Sequence, residues 1–207
     1  MKDGDVHLAK KKIMIAGGTG FVGQGIISAL SPEKYDIHVL TRRHVTTDTE
    51  SVTYHQVDYH VTDQVLAVIG DADWVIDVIG ILLPNPIKHQ TYANSSVLPA
   101  EFLIDAVRAC PEVKFMFVSA NYAPFFMAPY MRAKQEVENY MALRLPQRAT
   151  TLYPGIIYDR KRQMSYYVGR ILSKLPAKRL RPITLADLAK EVTRILDGQN
   201  SGLEKRR

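Results

Sequence analysis

The stretch AGGTGFVGQG, residues 16–25, decides the fold that the rest of the chain is expected to adopt. It contains the spacing G-x-G-x-x-G from Gly18 to Gly23, and Gly17 adds an overlapping G-x-x-G-x-x-G. An apolar strand-like run leads into it and a helical pattern leads out, as a phosphate-binding turn requires. Glycines permit a tight turn and a close backbone approach to a pyrophosphate, and the helix N-terminus offers amide donors. We therefore predict a dinucleotide-binding loop; the alternative is an ordinary glycine turn of an α/β protein.

Beyond this loop, short β-rich runs alternate with longer segments of helical period. That alternation is typical of βαβ units around a parallel sheet. Strands are predicted over residues 12–16, 37–41, 52–56, 74–79, 114–119 and 149–153, and helices over residues 21–30, 63–69, 92–109, 129–143 and 185–196. Thr184 and Asp187 form a candidate capping box for the last helix, and Gly198 is placed to end it.

The expected fold class is therefore α/β: a Rossmann doubly wound parallel sheet with helices on both faces and a very small C-terminal substrate-side portion. We expect a single NAD(P)-binding domain over residues 12–198. Residues 1–11 are predicted to be a flexible N-terminus and residues 199–207 a flexible tail.

Composition excludes several classes of protein. The 207 residues, 46% hydrophobic and 23% charged, are typical of one globular domain. The longest apolar run, Trp74 to Leu83, is about half a membrane span and contains Asp77, so no transmembrane segment is expected. The first dozen residues show no secretory or organellar presequence pattern, which favours a cytoplasmic location unless a presequence was trimmed.

Residue counts also argue against metals and nucleic acid as ligands. Cys110 is the only cysteine, and the six histidines lack metal-ligand spacing, so neither a disulfide framework nor a metal site is expected. The net charge of +6 is concentrated at the termini and at residues 160–162, without a nucleic-acid motif. We expect a small-molecule substrate and no nucleic-acid partner.

The end of the second strand indicates which dinucleotide binds. In folds that prefer NAD, an acidic residue there accepts hydrogen bonds from the adenosine ribose. This chain has Arg42 and Arg43 instead, and guanidinium groups suit a 2′-phosphate. We therefore expect NADP(H) to be preferred, with NAD(H) also accepted, unless both arginines simply face solvent. Asp58, after the third strand, is placed either to contact the adenine amino group or to lie in an exposed turn.

Three residues later in the chain suit redox chemistry on a carbonyl. Tyr130 and Lys134 are one helical turn apart, so they share a helix face. A neighbouring ammonium is expected to lower the pKa of the phenol from about 10 toward the working range. Ser119, at the end of the fifth strand, is placed to hydrogen-bond a substrate carbonyl. Glu136 and Glu138 point to different faces of the same helix and are expected to form a charged surface.

GGTGFVG at 17–23, Ser119 with Tyr130 and Lys134, and YPGIIY at 153–158 together resemble the short-chain dehydrogenase/reductase superfamily, of its atypical or extended type. The resemblance extends from about residue 12 to residue 196. YMRAKQEVE, LYPGIIYDR and RPITLADLA are most similar to the subgroup of the NADPH-binding accessory subunit of respiratory complex I and of quinone-biosynthesis reductase-like proteins. Membership of that subgroup implies association with a respiratory or quinone-biosynthesis complex.

The resemblance also implies a set of cofactor-contacting residues. The glycines would touch the pyrophosphate, Lys134 would also hold the nicotinamide ribose, and residues 154–157 would line the nicotinamide. The complete set is Gly17, Gly18, Thr19, Gly20, Phe21, Val22, Gly23, Arg42, Arg43, Asp58, Gly80, Lys134, Pro154, Ile156 and Ile157.

The chain departs from the superfamily on the substrate side. Tyr153 stands before ProGly where arginine is common, and Asp159 stands after Tyr158 where glycine is common. Superfamily members that act on nucleotide sugars use a larger C-terminal part than the roughly fifty residues that follow Gly155 here. Epimerase chemistry on nucleotide sugars is therefore not expected.

Two functions are consistent with these residues. The first is an NADP(H)-dependent oxidoreductase acting on a small carbonyl or quinone-like substrate, with the tyrosine as proton donor, the lysine tuning it and the serine orienting the substrate. The second is a non-catalytic NADPH-binding protein with a structural, assembly or redox-sensing role. Phe126 and Met127, with Tyr166 and Tyr167, are a candidate apolar lip for a planar acceptor, or else part of the core.

Overall fold

Six parallel strands form the central sheet of this computed structural model, which describes residues 9–45, 51–159 and 182–206. The strands are β1 (Lys11–Ala16), β2 (Tyr35–Thr41), β3 (Val52–Gln56), β4 (Trp74–Asp77), β5 (Lys114–Val118) and β6 (Ala149–Leu152). Their order across the sheet is β3-β2-β1-β4-β5-β6, and every neighbouring pair is parallel. This is the doubly wound order of a dinucleotide-binding fold, so the predicted fold class is confirmed.

Helices cover both faces of this sheet because its strands are buried on both sides. They are α1 (Phe21–Ala29), α2 (Thr62–Ile69), α3 (Leu98–Ala109), α4 (Ala128–Arg144) and α5 (Leu185–Leu196). Along β1, Ile13 and Ile15 belong to the core that includes α1 and α5, whereas Met14 and Ala16 belong to the core that includes α2, α3 and α4. The alternation of a strand thus fills two separate hydrophobic layers.

The fourth and fifth strands end earlier than the sequence predicts. The fourth strand ends at Asp77, two residues early, because the Asp77 side chain accepts a hydrogen bond from the Ile79 amide (Oδ1···N 2.8 Å) and turns the backbone away from the sheet. The fifth ends at Val118, so Ser119 is the first residue beyond it.

The helix predicted over residues 92–109 is divided. A π-helical turn, Ala93–Val97, precedes α3, which has Pro99 in its first turn. Proline has no backbone N–H, so a regular α-helical hydrogen-bond ladder cannot run through it. The π-helical turn places Ser95 and Ser96, which are both buried, beside the loop that follows β4.

The last helix begins and ends as the sequence predicts. The Thr184 hydroxyl accepts a hydrogen bond from the Asp187 amide (3.0 Å), and Gly198, with φ +80, follows the helix end. The Asp187 carboxylate accepts from the Thr184 hydroxyl (2.7 Å). A short parallel pair, β7 (Ile157–Tyr158) with β8 (Ile183–Thr184), leads into this helix. Gly25 of α1 lies where a Cβ would collide with the Leu185 side chain, so the missing side chain lets α1 and α5 approach closely.

Residues 199–206 lie against the domain. The Leu203 carbonyl accepts a hydrogen bond from the Tyr153 amide (2.8 Å), and the Leu203 side chain packs against the core beside α5. The Ser201 hydroxyl donates to Glu191 (2.6 Å). The end of the chain therefore has hydrogen-bond and packing partners in the domain. The domain limits and the flexibility of the tail stay predictions.

The described residues contain neither a membrane-spanning helix nor a cluster of metal ligands. Within them, no helix combines the length and the apolar character needed to cross a bilayer. No group of three or more histidine, cysteine, aspartate or glutamate side chains in the same ranges is arranged to hold a metal ion. The basic cluster at residues 160–162, Tyr166 and Tyr167 lie outside the described residues.

Candidate cofactor-binding and active site

The glycine loop between β1 and α1 forms a tight cradle. Gly17 has φ +85, a conformation that favours glycine, and a Cβ there would lie 3.0 Å from the Ile79 amide nitrogen. The Gly20 amide donates to the Gly17 carbonyl (2.9 Å) and closes the turn. A Cβ on Gly23 would collide with the backbone of Gly17 and Gly18. The cradle therefore requires these glycines for geometric reasons, as the sequence predicts.

The N-terminus of α1 opens directly from this cradle. Its N-cap is Gly20, which has no capping side chain, and its first turn contains no acidic residue. The partial positive charge of the helix end thus meets no protein carboxylate within the first turn. Gly17, Thr19 and Gly20 line a cavity of about 340 Å³ in front of it. A diphosphate group fits this combination of exposed backbone and positive helix end.

The predicted adenosine end lies at the carboxyl ends of β2 and β3. Arg42 and Arg43 are exposed and line the same cavity as the glycines, and Arg42 also lines an adjoining cavity of about 580 Å³. Asp58 and Gln64 line that second cavity. The Asp58 carboxylate also accepts a hydrogen bond from the His60 amide (3.0 Å), so this aspartate shapes its own turn.

The predicted nicotinamide end is a smaller cavity of about 130 Å³. It brings together residues that are far apart in sequence: Val22, Gly80, Ser119, Tyr130, Lys134 and Ile157. Residues 78–81, which follow β4, line both this cavity and the cavity in front of the glycines. The three cavities therefore adjoin one another, and we call the row that they form, from Asp58 past the glycine cradle to Tyr130, the trough.

The remaining residues of the predicted set support the trough or begin its elements. Pro154 is buried, and its carbonyl accepts a hydrogen bond from the Asn121 amide (2.9 Å). The Ile156 carbonyl accepts from the Ile183 amide (2.9 Å), which holds the β7–β8 pair in place. Phe21 and Gly18 belong to the cradle itself, where a Cβ on Gly18 would lie 2.7 Å from the Val39 side chain.

Lys134 and Asp77 form a buried pair of ionisable groups at the nicotinamide end. The Lys134 ammonium donates to the Val118 carbonyl (2.8 Å) and lies 4.5 Å from the centre of the Phe117 ring. Burial lowers the pKa of Lys134 to about 8, although the carboxylates of Asp77 and Glu138 oppose that change. Burial raises the pKa of Asp77 to about 7, against the Ile79 amide hydrogen bond and the charge of Lys134. The lysine is therefore held in a site where each charge depends on the other.

Asp77 has unused hydrogen-bonding capacity. Its Oδ1 accepts from the Ile79 amide, but its buried Oδ2 has no hydrogen-bond partner among the described residues. A buried carboxylate oxygen without a hydrogen-bond partner lowers the stability of the fold. The surroundings of Asp77 are therefore not arranged for stability alone.

Tyr130 departs from the sequence-based expectation. Its ring lies 6.1 Å from that of Tyr92, and burial, with a smaller contribution from Tyr92, raises the pKa of its phenol to about 12. The predicted lowering of this pKa by Lys134 was wrong for the protein without cofactor, because the ammonium is directed to the Val118 carbonyl and desolvation is the largest effect. The phenol consequently keeps its proton at neutral pH.

Ser119 and Glu138 also differ from expectation. Glu138 is buried, and its Oε1 accepts a hydrogen bond from the Ser119 hydroxyl (2.5 Å) and another from Arg206 Nη2 (2.5 Å). The prediction that Glu138 belongs to a charged surface was wrong because it lies four residues after Lys134, on the helix face that packs against the sheet. Glu136 is exposed, in agreement with the prediction.

Sequence analysis named Gly80 but did not place its neighbours Val78, Ile79 and Ile81 in the trough, and it did not identify Asp77, Tyr92 and Glu138 as residues that act on its side chains. Two of them had usable signals. In open parallel sheets, ligands bind outside the carboxyl ends of the strands near the point where the strand order reverses, and β1 and β4 flank that point. The spacing of four residues between Lys134 and Glu138 placed both on one helix face.

Comparisons with known proteins agree with this geometry. Residues 13–144 match the model of the NAD dependent epimerase/dehydratase family. Comparison with curated protein sequences gives no significant match.

Several solved structures share the fold. UDP-N-acetylglucosamine 4-epimerase from Bacillus cereus is 18% identical, over 93% of this chain and 76% of that one, with a TM-score of 0.69. UDP-glucose 4-epimerase from Thermus thermophilus, in complex with NAD, is 16% identical, over 92% of this chain and 76% of that one, with a TM-score of 0.68. The oxidoreductase ylbE from Lactococcus lactis is 19% identical, over 90% of this chain and 84% of that one, with a TM-score of 0.68.

At these identities the solved structures show a common fold, and the family model adds more. Its match extends from β1 through the glycine cradle to the end of α4, which is more than half of the chain and includes Ser119, Tyr130 and Lys134. The chain therefore belongs to the NAD dependent epimerase/dehydratase family.

Proposed function

We propose that this protein is an NADP(H)-dependent oxidoreductase that acts on a small carbonyl or quinone-like substrate. The observation that carries the proposal is the trough, in which the cavity in front of the glycine cradle adjoins a cavity lined by Ser119, Tyr130 and Lys134. The cradle suits a dinucleotide because Gly17 and Gly23 allow the close backbone packing of the turn, which leaves the start of α1 facing the cavity.

The preference for NADP(H) over NAD(H) is supported by Arg42 and Arg43. Both line the cavity in front of the glycines, at the end of β2 where an adenosine ribose would lie. Planar guanidinium groups bind phosphate through two parallel hydrogen bonds, so a 2′-phosphate would be held there. The amide of Arg43 donates to Thr41 Oγ1 (3.2 Å), and that hydroxyl donates to the Arg43 carbonyl (3.0 Å), which fixes the backbone that carries both side chains.

Bound NADPH would supply a hydride to the carbon of the acceptor carbonyl. Tyr130, whose pKa of about 12 keeps it protonated, would donate its proton to the acceptor oxygen, so that the carbonyl becomes an alcohol. Lys134 would stabilise the phenolate that remains, since its ammonium lines the same cavity. It would also hold the ribose hydroxyls of the cofactor, beside Gly80, where a Cβ would lie 3.7 Å from its Nζ.

An apolar acceptor is supported by apolar residues that line this cavity and by those that precede α4 in the chain. Ile81 and Leu82 line it, and Leu82 remains 63% exposed. Phe126 of the predicted lip is 70% exposed and Met127 is half-buried, just before the helix that carries Tyr130. Exposed apolar side chains beside a polar catalytic group suit a ring-shaped acceptor such as a quinone.

We place the protein, within its family, near the NADPH-binding accessory subunit of respiratory complex I and the quinone-biosynthesis reductase-like proteins. The motifs YMRAKQEVE and YPGIIY support that placement. Association with a respiratory or quinone-biosynthesis complex is part of this proposal.

A non-catalytic NADPH-binding protein is the second candidate. Two observations favour it: the Ser119 proton is donated to Glu138 rather than to the cavity, and the pKa of Tyr130 is raised rather than lowered. Such a protein would be stabilised by NADPH without oxidising it.

The deciding experiment follows NADPH absorbance with a panel of short-chain quinones and carbonyl compounds for wild type and Tyr130→Phe. We expect kcat to fall by at least about a hundredfold in the variant, because a general acid contributes that much or more. The NADPH dissociation constant should change by no more than about twofold, since the hydroxyl alone is removed. Tyr140→Phe is the matched control: it lies on the same helix and its hydroxyl donates to Asp105 (2.7 Å). NADPH binding without oxidation by any acceptor would overturn the enzyme and favour the second candidate.

A further inference from the structure

A buried carboxylate lies directly behind the serine of the candidate active site. Ser119 is 3% exposed and Glu138 is 8% exposed, and the serine hydroxyl donates to Glu138 Oε1 at 2.5 Å. We propose that Glu138 and Arg206 are positioning residues that act through Ser119, and that they make its hydroxyl a hydrogen-bond acceptor toward the hydroxyl of the reduced form of the substrate. This inference rests on the proposed oxidoreductase function.

The Ser119 hydroxyl can donate only one hydrogen bond. A hydroxyl has one O–H donor and two acceptor lone pairs. With the proton directed to a buried carboxylate, in a charge-assisted bond, only the lone pairs of Ser119 remain for a molecule in the cavity that it lines. The serine therefore suits a partner that donates a hydrogen bond, such as the hydroxyl of a reduced substrate.

The Glu138 carboxylate is paired with the guanidinium group of Arg206. Arg206 Nη2 lies 2.5 Å from Glu138 Oε1, the same oxygen that accepts from Ser119. Its Nη1 donates to Gln135 Oε1 (2.8 Å), and the guanidinium lies 4.9 Å from the Tyr153 ring. A buried carboxylate without a cation would be strongly disfavoured, so Arg206 is the charge partner of the carboxylate that accepts from the serine.

The segment that carries Arg206 is itself hydrogen-bonded to the domain. The Leu203 carbonyl accepts from the amide of Tyr153, and the carbonyl of the next residue, Pro154, accepts from the Asn121 amide. Asn121 lies two residues after Ser119. The end of the chain is thus hydrogen-bonded to the segment after β6, and that segment is hydrogen-bonded to Asn121 and, through the Leu152 carbonyl, to the Ser119 amide (2.9 Å). Such an indirect connection is expected of a positioning network.

A purely structural ion pair between the tail and α4 makes a different prediction. It would stabilise the fold, and its loss would lower activity by the same factor whether or not Ser119 has its hydroxyl. A network that acts through the serine loses its effect once the hydroxyl is gone, because the residues then behave as one unit.

The test is a double-mutant cycle of Glu138→Gln and Ser119→Ala in the full chain, with kcat measured for the NADP⁺-dependent oxidation of the reduced form of the acceptor found for wild type. We expect Glu138→Gln to lower kcat by at least about tenfold, as misplacement of a reacting group does. In the Ser119→Ala background the same substitution should change kcat by less than about twofold. Glu136→Gln, which removes the same charge from an exposed position of the same helix, is the control.

Arg206 provides a second test that does not alter a buried position. Arg206→Ala should lower kcat by about tenfold, and Arg206→Lys, which keeps the charge, should restore it to within about threefold of wild type. Lys205→Ala removes an exposed neighbouring charge and is the control. The NADPH dissociation constant should stay within about twofold throughout.

The outcomes separate the inference from the function on which it rests. Wild type that binds NADPH but reduces no acceptor overturns the proposed function and this inference with it. An active wild type in which Glu138→Gln lowers kcat equally with and without the Ser119 hydroxyl overturns the inference alone. An Arg206→Ala variant with unchanged kcat also overturns it.

Discussion

At one end of the trough a dinucleotide would contact backbone amides and exposed guanidinium groups, whereas at the other end it would contact buried ionisable side chains. Gly17, Gly20 and the first turn of α1 form the first end, with Arg42 beside them. Lys134 and Asp77, both buried, form the second with Tyr130. The first end therefore depends on shape and charge, and the second on which protons its side chains hold.

This difference decides how each end responds to change. A cradle of backbone amides keeps its hydrogen-bond donors at every pH. It is disrupted only when an added side chain forces its backbone segments apart. Buried ionisable groups shift one another's pKa values, so a single substitution alters several charges together. The predictions below test whether binding and chemistry are divided between the two ends in this way.

The largest effect is expected from Gly23→Ala at the glycine end. The new Cβ would collide with the backbone of Gly17 and Gly18, so the cradle must open. We expect NADPH affinity to fall by roughly a hundredfold, the equivalent of losing one or two hydrogen bonds to charged phosphate oxygens. Titration of the variant with NADPH, followed by fluorescence, measures this. Gly70→Ala, in right-handed helical conformation at the end of α2 (φ −58), should leave affinity unchanged; equal losses in both variants would contradict the cradle.

A smaller effect is expected from Arg42→Ala combined with Arg43→Ala. NADPH affinity should fall by about tenfold to a hundredfold, because hydrogen bonds to charged groups each contribute about 1.5–3 kcal/mol. NADH affinity should change little, since NADH has no 2′-phosphate. Isothermal titration with both cofactors makes the comparison, and Arg108→Ala, on the exposed side of α3, is the control. Equal losses for NADPH and NADH would show that these arginines do not select the phosphate.

The nicotinamide end should reveal itself in the pH dependence of stability without cofactor. The pKa of Asp77 in the folded protein, about 7, lies above its ordinary value of 3.8. The folded state then binds more protons between these values, so Asp77 makes the free energy of unfolding fall as the pH rises from about 4 to 7. The pKa of Lys134 in the folded protein, about 8, lies below its ordinary 10.5, so this group makes the free energy of unfolding rise between about pH 8 and 10.5.

Urea unfolding of wild type and Asp77→Asn at pH 5, 7.5 and 10 tests both directions. In the variant, the decrease between pH 5 and 7.5 should be smaller by on the order of 1–3 kcal/mol. Asp63→Asn, at an exposed position in the first turn of α2, provides the control. A variant that keeps the full decrease would mean that Asp77 is not the group responsible.

The smallest effect is expected from Asp58→Asn. Its carboxylate already accepts a hydrogen bond from the His60 amide, and asparagine can preserve that turn. Loss of the negative charge near the adenine should weaken NADPH binding by no more than about threefold. An equilibrium titration with NADPH detects a change of this size. A loss of NADPH affinity above tenfold would contradict the prediction and show that the Asp58 carboxylate is a main contact of the cofactor.

Elements set by local sequence were predicted accurately. The strand β1, the glycine turn and the start of α1 were predicted because apolar alternation and backbone freedom act within a few residues. The cap formed by Thr184 and the end at Gly198 were predicted for the same reason. The π-helical turn before α3 was missed, although Pro99 offered a local signal.

The arrangement of the candidate site was predicted only in part. The trough joins Tyr130, Lys134 and Ser119, as their positions after β5 and on α4 indicated. The partner of Ser119 was not predicted, because Glu138 is 19 residues from the serine and 68 from Arg206, and only packing brings them together. The direction of the Tyr130 pKa was also wrong, because a sequence shows which charges are near along the chain but not how much water has been removed.

The sequence by itself determined the parallel α/β fold, the place of the glycine cradle and the identities of the serine, tyrosine and lysine, since each follows from the spacing of residues along one strand, turn or helix. Only the tertiary structure decided the charges around them. Asp77 is buried and opposes the lowering of the Lys134 pKa, and Glu138 is buried between Ser119 and Arg206. Desolvation and long-range pairing determine the protons of such groups, and both arise only when distant segments pack against one another.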